Sequence, residues 1–166
     1  MNQHRQPLEY MESAMIFSRD DLGALQATLA IEIPLSAAIG LKVAGFEAGV
    51  LTLAAPLAPN INHKDTAFAG SLNAVLTLAG WSMLWLIAKR EDMPAKVVIQ
   101  DSAIRYLRPV TRDFAAACRL PASAEVERFL LMLRKKGKAR MELAAEIREA
   151  GEVAVAFSGR YVVQRS

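Results

Sequence analysis

Between Asn60 and Thr77 the chain gathers side chains able to act on a carbonyl group. Asn60, Asn62, His63, Asp65 and Thr66 fall within seven residues, and no further ionisable side chain follows until Lys89. An imidazole such as that of His63 suits general-base work near neutral pH. Asp65 offers a carboxylate for the same work, or for capping a helix that follows, a duty Thr66 could share. Asn60 and Asn62 are also ordinary loop-shaping residues that bond their own backbone. Beyond them lies a run of 22 uncharged residues, Ala67 to Ala88, in which Ser71, Asn73 and Thr77 are polar and need partners if buried. Thr77 could hold a water, or bond a backbone carbonyl one turn back. Further on, Asp101 and Ser102 interrupt an apolar segment and suit an edge or an interface. Arg105, Arg108 and Arg112 match phosphate or an acidic protein surface through charge-assisted bonds, although exposed arginines on strands are routine.

Other chemistry is excluded by inventory. One cysteine and two histidines, with His4 near the N-terminus, supply no zinc set, so no metal is expected. Cys118 lies in the apolar segment Phe114–Leu120 and reads as a buried structural thiol. The net charge of +3 is modest, and the one basic cluster, Arg134-Lys135-Lys136 before Gly137, reads as a solvated helix end, so no nucleic-acid partner is expected. With 53% hydrophobic and 22% charged residues, the chain is not a disordered one. The first twenty residues are polar and mixed in charge, without the apolar stretch of a signal peptide, which points to the cytoplasm.

Periodicity gives the elements that must position these residues. Residues 1–18 have weak periodicity and read as an arm, and 19–166 as a single domain. Asp20-Asp21 offers an N-cap for a helix with Leu22, Leu25, Leu29 and Ile33 on one face, stopped by Pro34. Leu41–Phe46 and Val50–Ala55 read as a hairpin. The uncharged run is long enough to cross a membrane, yet its serine, asparagine, threonine and glycines dilute it, and a helix enclosed by protein has the same pattern. Lys96–Arg108 and Phe114–Leu120 read as strands, and Glu125–Lys136 as an amphipathic helix or structured connection. Lys138–Glu149 and Glu152–Val163 alternate cleanly across the turn Ala150-Gly151. An antiparallel sheet with one apolar face needs a cover. A 22-residue helix, roughly 33 Å long, suits the width of six strands spaced about 4.8 Å apart. An α+β protein follows, with a curved antiparallel sheet around one long central helix. Open sheet edges favour a homodimer or a dimer of dimers.

That architecture is the hotdog fold. The stretches LAPNINHKDTAFAGSLNAVLTLAGW and IRYLRPVTRDFAAAC resemble the YiiD-type putative thioesterase domain over about residues 20–163, through Asn60, Asn62, Thr66, Phe68, Gly70, Ser71, Gly80 and Trp81. The resemblance implies hydrolysis of an acyl thioester of coenzyme A or acyl carrier protein, bound across a dimer interface, with no cofactor beyond the carrier itself. Backbone amides at the start of the central helix would bind the carbonyl oxygen, and a carboxylate would activate water or attack. The amide part also has a physical basis, because first-turn amides lack helical partners and suit a developing oxyanion. Ala69 and Gly70 are placed to supply them. Asn62 falls where hotdog relatives orient the thioester or water, and Asn60, Thr66, Phe68, Ser71, Asn73, Arg105 and Arg108 complete the expected substrate contacts.

One position departs from the pattern. The helix site where the common hotdog signature carries its acid holds Thr77, which is no general base near neutral pH. Asp65 and His63 remain as the candidate bases, with Asn62 and Thr77 as their helpers. The same departure leaves room for a non-catalytic acyl-thioester or lipid-binding module. A dehydratase or hydratase of the same fold, or a membrane-anchored protein, are further alternatives.

Overall fold

Ser18, rather than Asp20 or Asp21, starts the first helix. Its hydroxyl accepts the Asp21 N–H at 3.1 Å, while the Asp21 carboxylate accepts the Ser18 N–H at 2.9 Å. These reciprocal bonds satisfy two donors that a helix end otherwise leaves open, and they hold the Asp21 carboxyl below its ordinary pKa. The acidic pair sits in the first turn, and the serine before it does the capping. The computed structural model describes residues 17–166, so most of the expected arm, His4 included, lies outside the described residues.

The elements run α1 (Arg19–Glu32), α2 (Leu35–Ala38), β1 (Lys42–Glu47), β2 (Val50–Ala55), α3 (Ala69–Arg90), β3 (Ala95–Tyr106), β4 (Phe114–Arg119), α4 (Ser123–Lys136), β5 (Lys138–Glu149) and β6 (Glu152–Arg165). All strand pairs are antiparallel, in the order β1-β2-β4-β5-β6-β3, which leaves β1 and β3 at the edges. The β5–β6 hairpin turns through Ala150 and Gly151, both at positive φ, as a two-residue turn between twisted strands requires.

Alternation decides which face of the sheet is covered. Ala139, Met141, Leu143, Ala145 and Ile147 of β5 are buried, while Arg140, Glu142 and Ala144 between them are exposed. α3 lies on the buried face against β2 to β6. By length and mean hydropathy (1.5) α3 passes for a membrane span, but 67% of that apolar window is buried inside the fold. It is the core helix. The sheet does not enclose it completely, however. Ala74, Thr77, Trp81 and Trp85 are only half-buried, and their spacing makes them one stripe along the helix.

β3 carries the irregularity that matters for the site. Its register against β6 shifts between Ile99 and Asp101, leaving Gln100 as the extra residue of a bulge. Before the bulge Val97 and Ile99 face α3, opposite Val163 and Tyr161. After it the facing residues are Ser102, Ile104 and Tyr106, opposite Gly159, Phe157 and Val155.

Candidate active site

Asn62 builds the loop that precedes α3. Its backbone N–H bonds the Thr66 carbonyl at 2.8 Å, and its side-chain oxygen accepts N–H bonds from Lys64 (2.8 Å) and Thr66 (3.3 Å). Its amide nitrogen donates to the Thr66 hydroxyl at 3.0 Å. Asn and Asp side chains stabilise tight turns in this way. The result is a small closed loop, bridged by Ile61 and Ala67, whose exposed tip carries His63, Lys64 and Asp65. Asp65 has a left-handed backbone, φ 58°. The Asp65 backbone N–H donates to the Asn62 carbonyl at 3.1 Å, but the side chains of His63 and Asp65 make no hydrogen bond or ion pair with each other or with any other described residue.

Asn60, expected to contact substrate, lies beneath this loop and anchors it. It is 2% exposed and donates from its amide nitrogen to the carbonyls of Ile39 (2.9 Å) and Pro56 (2.7 Å). Its own carbonyl accepts the Phe68 N–H at 2.7 Å.

The capping expected of Asp65 or Thr66 does not occur. Phe68 is the N-cap residue of α3 and has no polar side chain to offer. Thr66 is occupied by Asn62, and Asp65 lies at the tip of the loop. The first helical bond runs from Leu72 N–H to the Phe68 carbonyl. The N–H groups of Ala69, Gly70 and Ser71 therefore have no acceptor among the described residues. The Phe68 ring lies over Gly70, where an added Cβ would come within 2.3 Å of a ring carbon. A side chain at position 70 would have to push that exposed ring aside.

Two tyrosines strap this end of α3 to the sheet. Tyr106 donates its hydroxyl to the Ala69 carbonyl at 3.1 Å, and Tyr161 donates to the Thr77 carbonyl at 2.8 Å. Burial raises the pKa of both phenols, so each stays a donor. Tyr106 was not foreseen from the sequence, because regular strand alternation puts Arg105 on the face of α3 and only the bulge at Gln100 exchanges the two. Thr77 bonds the side-chain oxygen of Asn73 at 3.4 Å, in place of a backbone carbonyl. One turn apart, these two share the face of α3 that begins at Ala69.

The arginines are elsewhere. Arg105 pairs with Ala156 in the ladder and so stands on the sheet face away from α3, while Arg108 is bound to Glu152. Arg112 pairs with Glu149 at 3.5 Å, and Asp101 with Arg160 at 3.4 Å. Cys118 is fully buried, with its thiol pushed up to about 12, and is inert as a nucleophile. Trp81 donates to the Val97 carbonyl at 2.9 Å and packs with Met83 and Trp85 against the core.

A six-stranded antiparallel sheet laid over one long helix, with a polar loop feeding an uncapped helix start, defines a protein of the hotdog thioesterase class. The chain belongs to the family described as "Putative thioesterase (yiiD_Cterm)", whose model matches residues 22–165. It is similar to the crystal structure of a putative thioesterase from Shewanella oneidensis, at 34% identity over 87% of this chain and 98% of that one (TM-score 0.77). A protein of unknown function from Chlorobaculum tepidum TLS is 30% identical over 92% and 99% of the two chains (TM-score 0.86). A Pseudomonas aeruginosa protein at 22% identity and TM-score 0.73, covering 92% of this chain and 99% of its own, shares the fold.

Proposed function

We propose that the protein hydrolyses an acyl thioester carried on coenzyme A or an acyl carrier protein. The observation that carries this reading is the open first turn of α3, where three consecutive N–H groups await an acceptor. Two of them, on Ala69 and Gly70, bind the thioester carbonyl oxygen and stabilise the negative charge that develops there. Asp65 or His63 removes a proton from water, and the hydroxide adds to the carbonyl carbon. Collapse of the tetrahedral oxyanion breaks the C–S bond, and the proton passes to the departing sulfur. The products are a carboxylic acid and a thiol.

The protein acts as a homodimer, or a dimer of dimers, in the cytoplasm. β3 is an edge strand with Val98 58% and Ile99 37% exposed, and the half-buried stripe of α3 is also free for a second copy. The acyl chain lies beside α3, past Phe68, Asn73 and Thr77.

Free-thiol release from acetyl-, octanoyl- and palmitoyl-CoA, and from an acyl carrier thioester, tests the reading on the purified full chain. Turnover above the buffer rate is expected with at least one of them. Asp65→Asn and His63→Gln then identify the base, with a loss of about tenfold or more for the residue that serves. Asparagine tolerates the left-handed backbone at position 65, so that variant tests the charge without adding strain. If both variants keep full turnover, neither residue is the base. Binding without turnover would favour the non-catalytic acyl-thioester module, a reading supported by the absence of any carboxylate on α3. A monomer in sedimentation would remove the dimer.

A further inference from the structure

The carbonyl that Tyr106 holds and the N–H of Gly70 are two ends of one peptide unit, 69–70, and the planarity of that unit links them rigidly. We propose that Tyr106 is a positioning residue: by donating to the Ala69 carbonyl it orients and polarises the Gly70 N–H that receives the thioester oxygen. This rests on the thioesterase reading, and it assigns a role to a residue that touches no substrate.

Three features carry it. First, the bond is long-range, joining the last residue of β3 to the first residue of α3. It exists only because the Gln100 bulge turns Tyr106, rather than Arg105, toward the helix. Second, the peptide it fixes has no other restraint on its donor side, since Phe68 cannot cap and the Gly70 N–H has no acceptor among the described residues. A first turn without a side-chain cap frays easily, so an outside bond to the carbonyl of its first residue has more to hold than one further along. Third, hydrogen bonds in series strengthen one another. A phenol pulling on the carbonyl oxygen leaves the amide nitrogen poorer in electrons and its N–H a better donor. Tyr106 is 47% exposed, so its ring contributes little to the core, and a purely packing role is poorly served by that placement.

Tyr106→Phe tests the proposal, because it removes only the hydroxyl. The amide proton and nitrogen shifts of Gly70, followed by NMR in the resting protein, are expected to move toward the values of a weaker donor, while those of Leu84 and Ile87 stay in place. With octanoyl-CoA as the probe, kcat is expected to fall about fivefold, the factor that loss of roughly one hydrogen bond gives, with KM unchanged within twofold. An unmoved Gly70 resonance overturns the proposal. So does a kcat equal to wild type, or a loss that tracks a rise in KM or general unfolding. If the wild-type chain turns over no thioester at all, the hydrolase reading fails instead. The Gly70 shift then still decides whether Tyr106 controls that amide.

Discussion

Gly80→Ala is expected to destabilise the protein by about 3 kcal/mol, although alanine is the better helix former. A Cβ at position 80 would lie 2.3 Å from the Tyr161 hydroxyl oxygen and 2.5 Å from the ring carbon that bears it. Tyr161 cannot step aside. It is fully buried on β6, and its hydroxyl is fixed on the Thr77 carbonyl at 2.8 Å. Either α3 lifts from the sheet or the phenol loses its bond and remains buried. Overpacking costs about 1–3 kcal/mol and an unsatisfied buried hydroxyl a similar amount. The gain in helix propensity returns only about 1 kcal/mol. For a chain of this length the melting temperature should drop by roughly 6–12 °C. Thermal unfolding checks this, and a Tyr161→Phe background should absorb part of the loss, because the hydroxyl is the nearest atom to the new methyl group. Equal losses in both backgrounds would show that the ring carbons, which phenylalanine keeps, carry the clash rather than the hydroxyl.

The same contact illustrates how much was legible in the sequence. The uncharged run announced a helix, and the alternation in β5 and β6 announced strands with Tyr161 on the covered face. Nothing in a linear pattern says that Tyr161 meets Gly80. That depends on where β6 crosses α3, which tertiary packing sets. Element order and type were therefore readable, along with the fold, because hydrophobic period is a local property.

The site was legible in part, and the departures have two physical causes. Asp65 and Thr66 look like helix caps by residue type, and three or four residues separate them from the first turn. Asn62 intervenes, drawing the Thr66 hydroxyl and backbone into its own loop before either can reach α3. Local side-chain bonds compete with capping, and composition does not reveal which will win. Arg105 failed for a different reason. In a regular strand it would share a face with Val97 and Ile99, on the side of α3. The single extra residue at Gln100 reverses the parity, exchanging Arg105 for Tyr106. The open amides of Ala69 and Gly70 depend on backbone alone, since their availability follows from the start of a helix whatever side chains surround it.

That dependence on backbone allows a direct test. Ala69→Pro is expected to lower kcat by about a hundredfold to a thousandfold, the range for deleting one oxyanion donor, while leaving the fold intact. Proline is favoured at the first position of a helix, where the N–H has no helical partner. Here that N–H has no partner among the described residues. The residue before a proline must be extended, and Phe68 already is, at φ −66° and ψ 131°. The substitution thus removes a donor and little else, so the melting temperature should hold or rise slightly. Because the oxyanion interaction strengthens in the transition state, the loss should appear in kcat with KM nearly unchanged. Ala69→Gly is the control, since it keeps the N–H and changes only the side chain. Hydrolysis that survives in the proline variant within threefold would remove Ala69 from the oxyanion hole. Equal losses in the proline and glycine variants would point to the shape of the helix start instead. Loss in the proline variant alone, at unchanged stability, would tie the rate to one backbone hydrogen.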